Sequence, residues 1–237
     1  MLLWASAWAF AAEPEAKSPI ADFKSGPGTE PEGAKRMVKN ADVWFDVKRK
    51  FVICDGQIAL REGQLEMFAC PKGTKEHESV VSVNAKAFQI HAGLLGVGAK
   101  PGKPVKFDPY TPATGQIIDV WVLWNDEKGQ LKKARAQEWI KHARTEKQMP
   151  FDFVFAGSGF WKDDTTGKET YMAESGDLIC VSNFATAMLD LPVPSSQVND
   201  DLLFLAFTER IPPRGTKVRL VLHPREEKSE GKSEKKE

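Results

Sequence analysis

Cysteine is scarce. Three cysteines in 237 residues are too few for a four-thiolate zinc site or a four-cysteine iron–sulfur cluster. No C-x-x-C pair occurs, so a thioredoxin-type redox role has no support. An excess of either charge is also missing, because 33 basic residues balance 33 acidic ones. That removes the electrostatic footprint of a nucleic-acid binder and of a polybasic membrane contact. No apolar run reaches the ~18 residues that a membrane-spanning helix needs. G-x-S-x-G and H-E-x-x-H are both lacking, which disfavours a serine hydrolase of that type and a zincin. What remains is 41% hydrophobic and 28% charged, the composition of an ordinary globular protein of one or two domains.

The two ends differ from the middle. Leu2–Ala12 reads LLWASAWAFAA without a charge, the length of a signal-peptide apolar region and too short to span a bilayer. Ala9-Phe10-Ala11 fits an A-x-A cleavage pattern, which predicts Ala12 or Glu13 as the first mature residue. A basic segment is missing ahead of it, and we expect the native start to lie upstream. The segment therefore predicts export from the cytoplasm. Residues 13–39 alternate Pro14, Pro19, Pro27 and Pro31 with glycines and charges, the composition of a disordered linker. Residues 224–237 are almost wholly charged and read as a solvated tail. The folded domain is expected over residues 40–223.

Between these ends, short runs rich in β-branched and aromatic residues predict strands. They include Val43–Val47, Lys50–Cys54, His77–Val83, Gln116–Trp124, Phe151–Ala156, Leu178–Val181 and Lys217–Leu222. Asp55-Gly56 reads as a turn between two of them. Two helices are expected. One runs from Ala85 to about Gly96 behind an Asn84 cap, with Phe88, His91, Ala92 and Leu95 on its apolar side. The other runs from about Ala136 to Arg144, around Trp139 and Ile140. Strands outnumber helices and do not alternate with them, so the fold class expected is α+β: a single β-rich domain, mostly antiparallel sheet with one or two packed helices.

Several runs in this region carry a resemblance. They are Cys70-Pro-Lys-Gly-Thr-Lys-Glu-His-Glu-Ser79, Leu94-Leu95-x-x-Gly98 with Pro101-Gly102, Phe153-Val-Phe-x-Gly157-Ser158, and Asn183-Phe-x-x-Ala-x-Leu-Asp-Leu-Pro192. In order and spacing the chain resembles the YdjY-like family of exported bacterial proteins over about residues 40–223. The resemblance implies a shared fold and an envelope location. It carries over no activity, substrate, cofactor or catalytic residue.

Titratable groups concentrate at Lys75-Glu76-His77-Glu78-Ser79, before an apolar strand. Cys70, His77 and His91 are nitrogen and sulfur ligands of the kind zinc or copper accepts. Cys70 falls at a strand end, His77 at a strand start and His91 on the inner side of the following helix. Their C-x6-H-x13-H spacing matches no common zinc signature, and each has a plainer fate as a core or loop residue. Lys75, Glu76, Glu78 and the turn residue Ser158 are the candidate ligand contacts. In an oxidising compartment Cys54 and Cys70 are placed to pair, a bridge worth roughly 3 kcal/mol in the chain-entropy model. Trp121, Trp124, Trp139 and Trp161 offer stacking surfaces, although core packing is their commoner use. The sequence thus favours a non-catalytic module without a resident cofactor, binding an envelope ligand or protein. The alternative is a zinc or copper protein, or a metal-dependent enzyme, using Cys70, His77 and His91.

Overall fold

The computed structural model of the chain describes residues 18–195 and 203–226. Ten strands and one helix frame it. They are β1 (Val43–Asp46), β2 (Phe51–Ile58), β3 (Met67–Pro71), β4 (Ser79–Val83), α1 (Ala87–Gly96), β5 (Ile117–Asn125), β6 (Leu131–Arg135), β7 (Phe153–Phe155), β8 (Ile179–Cys180), β9 (Leu189–Asp190) and β10 (Lys217–Pro224). Eight of them close on themselves in the order β2, β10, β5, β7, β9, β8, β3, β4, with β4 pairing back onto β2. Within the ring β8–β9 and β3–β4 are parallel, and the other pairs are antiparallel. This overturns the expected α+β layer of mostly antiparallel sheet: the domain is a closed barrel with a mixed sheet.

The closure rests on one residue. Along its first half β2 pairs with β1, and along Gly56–Ile58 it pairs with β4. A Cβ built on Gly56 would stand 2.2 Å from the Ser82 carbonyl oxygen, so only glycine lets β2 and β4 approach there. Asp55-Gly56 is therefore not a turn but the seam of the barrel.

Alternation sorts each long strand into an inner and an outer face. Ile118, Val120, Val122 and Trp124 of β5, with Val218, Leu220 and Leu222 of β10, face the main core. Trp121 and Leu123 face outward with Ile53, Phe51, Val221 and Trp44. That outer layer stays dry because the N-terminal segment crosses it. Ile20 and Phe23 are buried there, each worth roughly 1.5–3 kcal/mol as burial goes. Lys133 Nζ donates to the Ile20 and Ala21 carbonyls at 2.7 and 2.9 Å. The described part of the segment expected as linker, residues 18–39, is thus packed chain, a strap across the barrel. Two anchoring side chains and a few backbone contacts suffice where composition alone argued for disorder.

Helix α1 differs from its expected orientation. Ala87, Ile90 and Leu94 enter the main core, while Phe88 and Leu95 are exposed. Gly93 sits directly on Val52, where a Cβ would meet a methyl group at 3.0 Å. The second expected helix is a single 3₁₀ turn, Ala136–Trp139, running into a strand, Ile140–His142, that pairs with Phe204–Ala206. The expected signal segment and most of the charged tail lie outside the described residues, which end at Glu226.

Candidate functional site

The expected metal ligands are not assembled. His77 sits in the 3₁₀ turn Glu76–Glu78, and its side chain is 77% exposed, 3.9 Å from Glu78. His91 is half-buried at the edge of the core. Its ring packs edge-on against Phe155 and Tyr171, and Nδ1 lies 2.7 Å from the Tyr171 hydroxyl. Burial lowers its pKa and so favours the neutral ring. Cys70 is fully buried on β3, and burial pushes its thiol up. Among the described residues no three His, Cys, Asp or Glu side chains are arranged to hold a metal ion. The three cysteines are free and buried, so no bridge joins Cys54 to Cys70. Burial raises the pKa of the other two thiols as well, which leaves no activated thiolate.

The other expected contacts fall into a connected polar path. Lys75 Nζ lies 3.1 Å from Asp177 and 3.6 Å from both Glu66 and Glu78, and it sits over the Phe184 ring. Burial and the neighbouring Glu78 raise the Glu66 pKa. Asp177 accepts from the Thr186 and Ser175 hydroxyls. Ser158 Oγ donates to the Thr186 carbonyl at 2.7 Å, and the Tyr171 hydroxyl donates to the Gly157 carbonyl at 3.1 Å. Lys75, Glu78, Ser158 and His91 therefore lie on one chain of contacts. Those contacts are mutual, so the path braces loops and pairs no nucleophile with a base. Glu76 accepts from the Gly73 amide. Beside the path Asp190 is wholly buried. Its Oδ1 accepts from Asn183 and from the Leu191 amide, and burial raises its pKa to about 7.

Three clefts of comparable volume open elsewhere among the described residues, and one of them lies on the outer face beneath the strap. Gly28, Thr29 and Glu30 roof a cleft of about 420 Å³ whose walls come from the barrel seam. That volume suits a small molecule. Asp42 and Trp44 flank β2, which contributes Asp55 and Gln57; Ser82 comes from β4, Asn84 follows it, and Lys217 opens β10. Arg36 and Lys72 complete the wall.

The strap is held over this cleft by a buried charge pair. Arg219 is fully buried and grips Asp55 through Nε and Nη2, at 2.6 and 2.9 Å. The same guanidinium donates to the Ser25 and Thr29 carbonyls, and Asp55 accepts from the Gly28 amide at 2.8 Å. Trp44 Nε1 donates to Glu30, and Arg36 binds both Glu30 and Asp42. Strap and wall are therefore one unit. Of the four tryptophans read as stacking surfaces, Trp139 is in the core, Trp124 packs on it, Trp121 backs the strap layer and Trp161 is 56% exposed. None of them lines the cleft; Trp44 does.

None of the cleft residues was among the sequence candidates. Arg219 within the run Val-Arg-Leu-Val-Leu is the signal that would have exposed the site. A guanidinium flanked by core positions needs a buried acceptor. The chain belongs to the YdjY family: the family model of the YdjY domain matches residues 43–223. Comparison with curated proteins and with solved structures gives no match.

Proposed function

We propose that this YdjY domain is a non-catalytic binding module of the bacterial envelope, and that its ligand is a small molecule held under the strap. The cleft of about 420 Å³ at the barrel seam carries the reading. Its walls are charged and polar, its roof is pinned by Arg219 and Asp55, and it contains no cysteine or histidine. Such a site recognises polar groups, and its lining has no histidine to activate the Ser82 hydroxyl. The envelope location rests on the apolar Leu2–Ala12 run and its A-x-A pattern.

A thermal-shift panel of small polar molecules tests the binding half. A ligand of the native state raises the melting temperature with concentration, and a Trp44→Ala or Gln57→Ala variant should lose that response. A response that survives both changes would place the site elsewhere. N-terminal sequencing of protein from the native host tests the other half. A mature end near Ala12 or Glu13 is expected; an intact Leu2–Ala12 segment on the mature protein would refute export by cleavage.

A further inference from the structure

The cleft wall divides its polar groups into two sets. The acids are committed: Glu30 and Asp42 to Arg36, Asp42 also to Asn84, and Asp55 to Arg219 and the Gly28 amide. Four other side chains lining the cavity have no hydrogen bond or ion pair among the described residues. They are Lys72, Lys217, Gln57 and Ser82. Ser82 is only 2% exposed and lines the cavity.

The four groups are also ordered. Lys217 stands opposite Gln57 across β10 and β2, and Gln57 stands opposite Ser82 across β2 and β4. Directly paired residues share a face, so ammonium, carboxamide and hydroxyl form a row across three strands, about 10 Å from end to end. Lys72 follows β3, whose Cys70 pairs with Ser82. The row and Lys72 together offer donors, and their two formal charges are positive.

We propose that the strap cleft takes a small anion bearing several acceptor oxygens, a carboxylate or phosphate compound, with Lys72 and Lys217 as its charge partners and Gln57 and Ser82 as neutral donors. This rests on the binding role assigned to the cleft above, and narrows it to a ligand class.

The test is a titration of the full chain at low ionic strength with inorganic phosphate and with succinate, followed by amide NMR. Glucose and choline serve as the uncharged and cationic probes. Saturable shifts at Gly28, Gln57 and Ser82 with phosphate, succinate or both are expected, and which anion binds distinguishes the two sources of oxygen. The Lys72→Gln/Lys217→Gln double variant should bind at least about ten-fold more weakly with an unchanged melting temperature, Ser82→Ala several-fold more weakly, and Lys128→Gln as the parent does. Anion shifts that survive the double substitution would overturn the assignment. Cleft shifts with glucose or choline but neither anion would overturn the ligand class and leave the binding role standing. Silence toward all four probes would count against both.

Discussion

Arg219 on β10 and Asp55 on β2 are cross-strand partners on the outer face of the barrel, and their bidentate pair is buried under residues 25–29 of the strap. Removing one partner leaves the other charged and unpaired in the interior, which typically costs 3–5 kcal/mol. Arg219→Leu should therefore lower the melting temperature sharply. It should also free the strap, so that limited proteolysis cuts between residues 24 and 36 before the barrel. Arg219→Leu combined with Asp55→Leu removes both charges and should recover part of the stability without restoring protection of the strap. Equal protection in parent and single variant would show that the pair does not hold the strap.

Gly56 and Gly96 give a contrast in backbone space. A Cβ at Gly56 meets the Ser82 carbonyl at 2.2 Å, whereas nothing lies within 4 Å of one at Gly96. Gly56→Ala should cost on the order of 2 kcal/mol or more by forcing the β2–β4 seam apart, a cost of the kind seen for overpacking. Gly96→Ala, at the end of α1, should be neutral or stabilising. Denaturant unfolding of the two variants measures both, and a neutral Gly56→Ala would refute the seam.

Asp190 links stability to pH. Burial raises its carboxyl from 3.8 to about 7 in the folded chain, and nearby Asp177 acts in the same direction. The folded state therefore prefers the protonated acid. Its contribution is fully present below about pH 4 and is lost as pH rises through 7. Asp190→Asn should flatten that slope and raise stability above pH 7. Melting temperatures across pH 4–8 should converge for parent and variant at the acid end; parallel curves would mean that Asp190 does not titrate in this range.

His91 and His77 separate a packing role from a ligand role. His91 contacts Tyr171 and Phe155, and its lowered pKa means that the folded state prefers the neutral ring. Its stabilising share is complete above about pH 6.5 and falls as pH drops. His91→Gln should cost about 1–2 kcal/mol through the lost ring contacts, whereas His77→Gln should change stability by less than about 0.5 kcal/mol. Metal analysis of the parent should find no stoichiometric zinc or copper. One metal per chain, lost in both variants, would restore the Cys70, His77 and His91 alternative.

The strands were legible because the alternation in β2, β5 and β10 is strong. The opposed faces of Trp121 and Trp124 follow from the same parity. Closure was not legible. It depends on three β2–β4 residue pairs and a close approach at Gly56, and an Asp-Gly dipeptide more often marks a turn. The strap was missed because residues 13–39 lack apolar content on average, while two apolar side chains, Ile20 and Phe23, and polar contacts from distant residues such as Arg219 anchor it. The orientation of α1 failed for a related reason. Ala87–Ile90–Leu94 and Phe88–His91–Leu95 are both apolar stripes at helical spacing, and the smaller residues won the core because β2 comes close at Gly93. The polar path around Lys75 brought together residues far apart in sequence, and only the fold joins Ser158 and Thr186 to Asp177.

The account stands most directly on where small molecules bind. An NMR fragment screen of the full chain, read at the backbone amides and at the Trp44 indole N–H, measures this. The prediction is that polar hits converge on Gly28, Trp44, Gln57 and Ser82, and that they lose affinity when Arg219→Leu releases the strap. Hits that cluster instead around Lys75, Ser158 and His91, or that bind equally well without the strap, would contradict it.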